Sequence, residues 1–251
     1  MRAFIGASGA QFEHSGQTLI KRCSNAFEQA AWLRTASILP LEQGVRCVEV
    51  YAADADAYMM EHITGHLATE EIGTRVTNIL YAQVSSWRYI PPTSSATWNQ
   101  YLDRLEDHCA VAQSATLWDA FAVVSTHKPL GTSFNHGDLT YENIVIGSDN
   151  TLVLIDPNFA PNIFQSYLLD YGKMLQSTHT DYHRIFKSNT GINLEMQDAR
   201  LCHLLKSDGH YEEALLACLS HIIRLAKYRL NEIDKVEALA QPLIRELTCT
   251  S

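Results

Sequence analysis

The sequence has no concentration of positive charge: 19 lysines and arginines are scattered among 28 acidic residues, for a formal charge of −9. That excludes a nucleic-acid groove, which needs a basic stripe to neutralise phosphates. Paired cysteines are also missing. The six present, Cys23, Cys47, Cys109, Cys202, Cys218 and Cys249, lie far apart with no CxxC, which argues against a zinc site or a disulfide framework and for reduced thiols in a cytoplasm. No apolar run approaches the ~18 residues of a membrane span. Met1–Ala10 is short and rich in small residues, unlike a secretion signal. There is no internal repeat and no low-complexity tract. These absences leave a soluble, cytoplasmic protein with neither nucleic acid nor membrane as partner.

What is present is a chain of 251 residues, 46% of them hydrophobic, long enough for one large domain or two lobes with separate cores. Its character changes near Ser85. Before that point come short strand-like runs, "RAFIGASG", "AQFEH", "TLIKRC", "VRCVEVYAA" and "AYMMEHI", punctuated by "SGQ" and "DAD" turns. One helix interrupts them, "NAFEQAAWLRTASIL", with Ser24 or Asn25 as its N-cap. After "PPTSS" the chain reads as helical: "ATWNQYLDRLEDHCAVA", "SYLLDYGKMLQS", "YEEALLACLSHIIRLAKYRL" and "KVEALAQPLIREL".

Within the helical half sits "FNHGDLTYENIVIGSDNTLVLIDPNF", Phe134 to Phe159. "NIVIG" and "TLVLID" are β-rich runs around "SDN", and a turn centred on Asp149 and Asn150 predicts pairing of Gly147 with Leu152 and of Ile144 with Ile155. The same register sets Asn143 opposite Asp156. Directly opposed residues have Cβ atoms about 4.5–5.5 Å apart, so an amide oxygen and a carboxylate could share one hard cation such as Mg²⁺. Asp138, one tight loop upstream, is then a candidate proton acceptor for an attacking hydroxyl.

His136-Gly137-Asp138, Asn143 and the hairpin ending in "LIDP" resemble the catalytic core of the aminoglycoside phosphotransferase and choline kinase superfamily. The resemblance runs in order from about residue 3 to 176. It implies an α+β, bilobal protein-kinase-like fold with a small β-rich N-lobe, residues 1–84, and a larger, mainly helical C-lobe, residues 85–251. It further implies ATP and Mg²⁺ as cofactors and a small-molecule hydroxyl as acceptor. Asp138 and His136 become catalytic-loop residues, and Asn143 and Asp156 the metal ligands. Lys21 would bind nucleotide phosphates with Glu28 as its helix partner, the backbone of Glu61 to Ile63 would meet adenine, and Asp170 would buttress the catalytic loop. "IGASGAQF" offers Gly6 and Gly9 for the phosphates but not a full GxGxxG.

The acceptor is less legible. "HGDLTYENIV" and "DYGKMLQS" look most like short bacterial members associated with surface-polysaccharide and capsule pathways, which favours a sugar or amino alcohol over an aminoglycoside or choline. His179, His183, Arg184 and Lys187 in "THTDYHRIFK" are candidates to greet an anionic acceptor, against the plain alternative of a solvated helix face. Cys202, His203, Cys218 and His221 have no metal-ligand spacing. A nucleotide-binding pseudokinase scaffold is disfavoured because Lys21, Asp138, Asn143 and Asp156 are all present. A protein kinase is disfavoured because little chain separates Asp156 from the Asp170 helix.

Overall fold

The computed structural model describes residues 2–5, 10–71, 73–158, 162–187 and 193–249. The chain forms two compact units, one of Met1–Glu71 with His136–Pro161 and the other of Ile72–Asn135 with Asn162–Ser251. The boundary expected between residues 84 and 85 falls inside a continuous helix, Arg75–Trp87, which belongs to the second unit.

The first unit is built of strands around one helix. β1 (Arg2–Ile5), β2 (Gln11–Ser15), β3 (Thr18–Arg22), β5 (Val50–Ala53) and β6 (Ala57–Glu61) make an antiparallel sheet in the order β1-β2-β3-β6-β5. α1 (Ala26–Ser37) buries Ala26, Gln29, Ala30 and Leu33, one stripe at helical spacing. Asn25 is its N-cap position, but makes no side-chain capping bond.

A second sheet, β4-β9-β8-β7, joins β4 (Val45–Cys47) and β7 (Gly65–Leu67) to the hairpin of β8 (Ile144–Gly147) and β9 (Leu152–Leu154). β4 runs parallel to β9, whereas the other pairs are antiparallel. The single expected run "VRCVEVYAA" is thus two strands in different sheets, and β7 matches none of the expected runs. β8 and β9 are almost wholly buried, which is why their sequences are continuously apolar instead of alternating.

The hairpin register differs from expectation by one residue. Ile144 pairs Leu154 and Ile146 pairs Leu152, while Gly147 N–H donates to the Thr151 carbonyl at 2.9 Å. The loop has three residues because Asn150 takes a left-handed φ of 63°. The Asp149 carboxylate also draws in Thr151, accepting from its N–H at 3.1 Å and its hydroxyl at 2.6 Å.

The second unit is helical: α2 (Arg75–Trp87), α3 (Trp98–Ala112), α4 (Ala115–Thr126), α5 (Tyr167–Thr178), α6 (Tyr182–Phe186), α7 (Glu195–Ser207), α8 (Tyr211–Leu225) and α9 (Ile233–Cys249). α3 opens with a capping box, Thr97 and Gln100 each accepting the other's backbone N–H. α8 is its centre, with every residue from Ala214 to Ile223 buried. α5 packs close against it at Gly172, where a Cβ would lie 2.6 Å from the Ala217 carbonyl carbon. Among the described residues no helix is long and apolar enough to cross a membrane.

Candidate active site

The site assembles inside the first unit from β3, α1, the loop before β8 and the residues after β9. Lys21 on β3 is 2% exposed, its chain running between Phe12 and Tyr58, whose ring centroids lie 5.9 and 5.8 Å from Nζ. A buried ammonium needs compensating partners. Nζ donates to Gln29 Oε1 at 2.8 Å and pairs with the Asp156 carboxylate. The expected helix partner, Glu28, is corrected to Gln29. Residue 29 lies on the buried stripe of α1, and residue 28 is a step of about 100° round the helix, half-exposed. Gln29 Oε1 is further shared with the Tyr58 hydroxyl at 3.3 Å and the Cys23 thiol at 3.7 Å.

Asp156 follows β9 in a left-handed conformation, φ 54°. A non-glycine residue held there costs backbone energy, and such outliers cluster where function requires a fixed direction. Asn143 does not face it across the ladder as expected. The one-residue shift sets Asn143 opposite Ile155, whose N–H donates to the Asn143 carbonyl at 3.0 Å. Instead Asn143 turns its amide nitrogen to Asp138, donating to the backbone oxygen at 2.8 Å and to Oδ2 at 3.0 Å. That bond fixes the Asp138 carboxylate and directs the Asn143 amide oxygen, the atom a hard cation takes, away from it.

The loop from His136 to Asn143 is itself clamped. Gly137 has φ 80°, and a Cβ there would strike the Asn158 carbonyl, so only glycine suits this position. Asn158 N–H donates to the His136 carbonyl at 3.1 Å, and Thr140 N–H to the Asp138 carbonyl at 2.8 Å. The His136 ring is fully buried, edge-on to Trp32 at 5.0 Å. Burial pushes its pKa down to about 4 despite the pull of Asp138 and Asp156. The His136 imidazole, expected among the catalytic residues, is thus enclosed in the packing of the first unit and not exposed.

Beside these groups lies a cavity of about 370 Å³, lined by His14, Leu19, Val48, Met60, Glu61, His62, Ile63, Val145 and Ile155. It is a largely apolar slot. Glu61 and His62 spend their backbone N–H groups on the carbonyls of Glu49 (3.0 Å) and Gln17 (2.8 Å). The Glu61 carboxylate pairs with Arg46 and accepts the Glu49 N–H at 2.9 Å. Of the three residues expected to meet a base, Ile63 is the one whose amide is not used in this way. Gly6 and Gly9 lie outside the described residues.

In the second unit, Asp170 is buried in the first turn of α5, whose N-cap Ser166 accepts from Leu168 N–H. The stretch "THTDYHRIFK" is not an outward basic face. His179 lies between Asp198 (3.1 Å) and Glu246 (3.1 Å). Hydrogen bonding to the Asp198 carboxylate first, then with Cys202, pushes its pKa up to about 11. His183 is buried, and exposed Arg184 pairs with Asp181.

A buried strand lysine with a helix partner, a loop Asp–Asn pair and a left-handed Asp at the end of a hairpin, together with a separate helical unit, define the bilobal protein-kinase-like fold. Solved structures share it along nearly the whole chain. A thermostable mutant of aminoglycoside phosphotransferase APH(4)-Ia, in its apo form, superimposes with a TM-score of 0.64 at 11% identity, covering 98% of this chain and 94% of that one. A further variant of that phosphotransferase, solved as a ternary complex with AMP-PNP and hygromycin B, also gives 0.64, at 10% identity over 97% and 92%. A choline/ethanolamine kinase family protein from Mesorhizobium loti gives 0.59 at 12% identity over 99% and 87%. No protein-family model and no curated protein matches the chain.

Proposed function

We propose that this protein is an ATP-dependent phosphotransferase that moves a phosphoryl group to a hydroxyl of a small molecule in the cytoplasm. The observation that carries the reading is one arrangement within the first unit: buried Lys21 against Asp156, with Asn143 holding Asp138, beside an apolar slot. The donor set suits the cofactors. An amide oxygen and a carboxylate are hard ligands fit for Mg²⁺, and a slot of about 370 Å³ with one uncommitted amide at Ile63 suits a planar base. When bound, Mg²⁺ and ATP supply the phosphoryl group and neutralise charge developing on it.

The chain's own part is alignment and proton handling. Asp138 accepts the proton of the acceptor hydroxyl, in the orientation set by the Asn143 amide. Lys21 gives positive charge to the nucleotide phosphates, and its burial keeps that charge effective. Asn143 and Asp156 are the residues that would hold the metal. A sugar or amino alcohol of a surface-glycan pathway is the acceptor we favour. The hygromycin B complex and the choline/ethanolamine kinase family name among the structural neighbours supply the general class of small, hydroxylated acceptors.

The test is ATP turnover against a panel of sugars, amino alcohols and aminoglycosides, with Asp138→Asn as control. Wild type turns over at least one acceptor, and Asp138→Asn loses roughly 10²–10⁴-fold in kcat while nucleotide affinity is retained. Nucleotide binding in both, with turnover in neither, identifies a scaffold instead of an enzyme.

A further inference from the structure

The second unit brings together three metal-ligating side chains from separated parts of the sequence. His179 closes α5, while Asp198 and Cys202 lie one turn apart on α7. His179 Nδ1 is 3.1 and 3.2 Å from the two Asp198 oxygens and 3.8 Å from Cys202 Sγ, and Sγ is 3.6 Å from Asp198 Oδ1. Tetrahedral zinc, with bonds of ~2.0 Å to nitrogen and oxygen and ~2.3 Å to sulfur, holds such donors about 3.3 Å apart for N and O and about 3.5 Å for the pairs with sulfur. The observed triangle is close to that without rearrangement.

The surroundings have a second feature of a metal-binding histidine. The far nitrogen, Nε2, faces Glu246 Oε2 at 3.1 Å, and Glu246 is in turn held by the Tyr211 hydroxyl at 2.6 Å. A carboxylate behind the imidazole fixes its tautomer and raises its basicity as a ligand. Charge balances as well: a neutral imidazole, a carboxylate and a thiolate carry two negative charges against a dication. The His179 and Asp198 side chains are 21% and 24% exposed, which leaves an entry path.

We propose that His179, Asp198 and Cys202 form a zinc site, with water in the fourth position, that staples the end of α5 to α7. The mixed N, O and S donor set selects a borderline-soft ion over Mg²⁺ or Ca²⁺. Binding sends the Nδ1 proton and the Cys202 thiol proton to solvent. The site is independent of the phosphotransferase reading.

The experiment uses the full chain, reduced and stripped with a chelator, and Co²⁺ as a spectroscopic probe displaced by Zn²⁺. The expected result is one equivalent of Co²⁺ with tetrahedral visible bands and a thiolate charge-transfer band, both erased by one equivalent of Zn²⁺. Cys202→Ser removes the charge-transfer band. Asp198→Asn weakens binding at least tenfold, and Glu246→Gln by about 10–100-fold, the usual effect of losing a partner behind a ligand. Absence of saturable one-to-one binding overturns the proposal. So does a charge-transfer band that survives in Cys202→Ser, since it would report a different thiol such as exposed Cys249. If Cys202→Ser fails to fold, Asp198→Asn decides: unchanged affinity rejects the site.

Discussion

At the scale of single residues, Gln29 is the informative one because it stands where the sequence suggested Glu28. A neutral amide leaves the buried Lys21 ammonium with Asp156 as its anionic partner, so the lysine's charge stays directed at the end of the hairpin. Gln29→Ala removes the acceptor of the Tyr58 hydroxyl and leaves the buried ammonium with Asp156 alone. We expect a loss of about 1–3 kcal/mol in urea denaturation and a raised KM for ATP. Glu28→Ala should change stability by no more than about 0.5 kcal/mol and leave that KM unaltered. Equal effects of the two substitutions would restore Glu28 as the partner. The candidate residues of the site were readily picked out in the sequence by type and spacing, and the structure sets Lys21 against Asp156 and Asn143 against Asp138. Their partners were less so: Gln29 became visible only once the start of α1 fixed which side of the helix is buried.

Among the elements, the α5 and α8 pair shows where general propensity gives the wrong sign. Alanine in place of a helical glycine stabilises by roughly 0.5–1 kcal/mol in the open. At Gly172 the new Cβ would lie 2.6–2.7 Å from Ala217 and the Cys218 nitrogen, both in the buried stretch of α8. The clash involves backbone that cannot step aside, so Gly172→Ala should lower the Tm, as overpacking does at a cost of typically 1–3 kcal/mol. A rise in Tm by thermal unfolding would refute the close approach. The hairpin carries a similar lesson. Its strands are plain in the apolar run Leu152 to Ile155, but its register hangs on one left-handed residue, Asn150, and on the hydrogen bonds of Asp149 to Thr151. Two-residue periodicity cannot see a one-residue difference in a loop.

For the whole molecule, proton binding sets an asymmetric pH profile. His136 titrates near 4 in the folded state against an ordinary value near 6.5, so the unfolded chain takes up a proton that the folded chain refuses. Its contribution is therefore full above pH 6.5 and falls away as pH drops from 6.5 towards 4, by roughly 3 kcal/mol. His221, enclosed and also shifted down, acts in the same sense. His179 has the opposite sign: raised to about 11, its contribution is present below 6.5 and is lost as pH climbs through about 11. Urea denaturation at pH 7.5 and 4.5 should show the acid loss, and His136→Asn should flatten it. An identical slope in the variant would show that His136 is not the group responsible. The helical half of the chain and the strand-rich start were readable from periodicity. What was not readable was that the hairpin belongs to the first unit, because that depends on Val45 finding Leu152 in a parallel pair, a meeting no local pattern encodes.

That pairing also turns chain order into a matter of time. Among the described residues β4 has only β9 as a neighbour in its sheet, and β7 only β8, so residues 1–71 leave the ribosome with two strands awaiting partners that have not yet been made. At ordinary elongation rates, the remaining stretch to residue 161 takes roughly 5–20 s to synthesise. Throughout that interval the nascent chain carries open β-edges, which recruit other chains as readily as their own. The segment that carries Asp138 and Asp156 is then also the piece that closes the first unit, so the step that completes its fold is the step that first assembles the site.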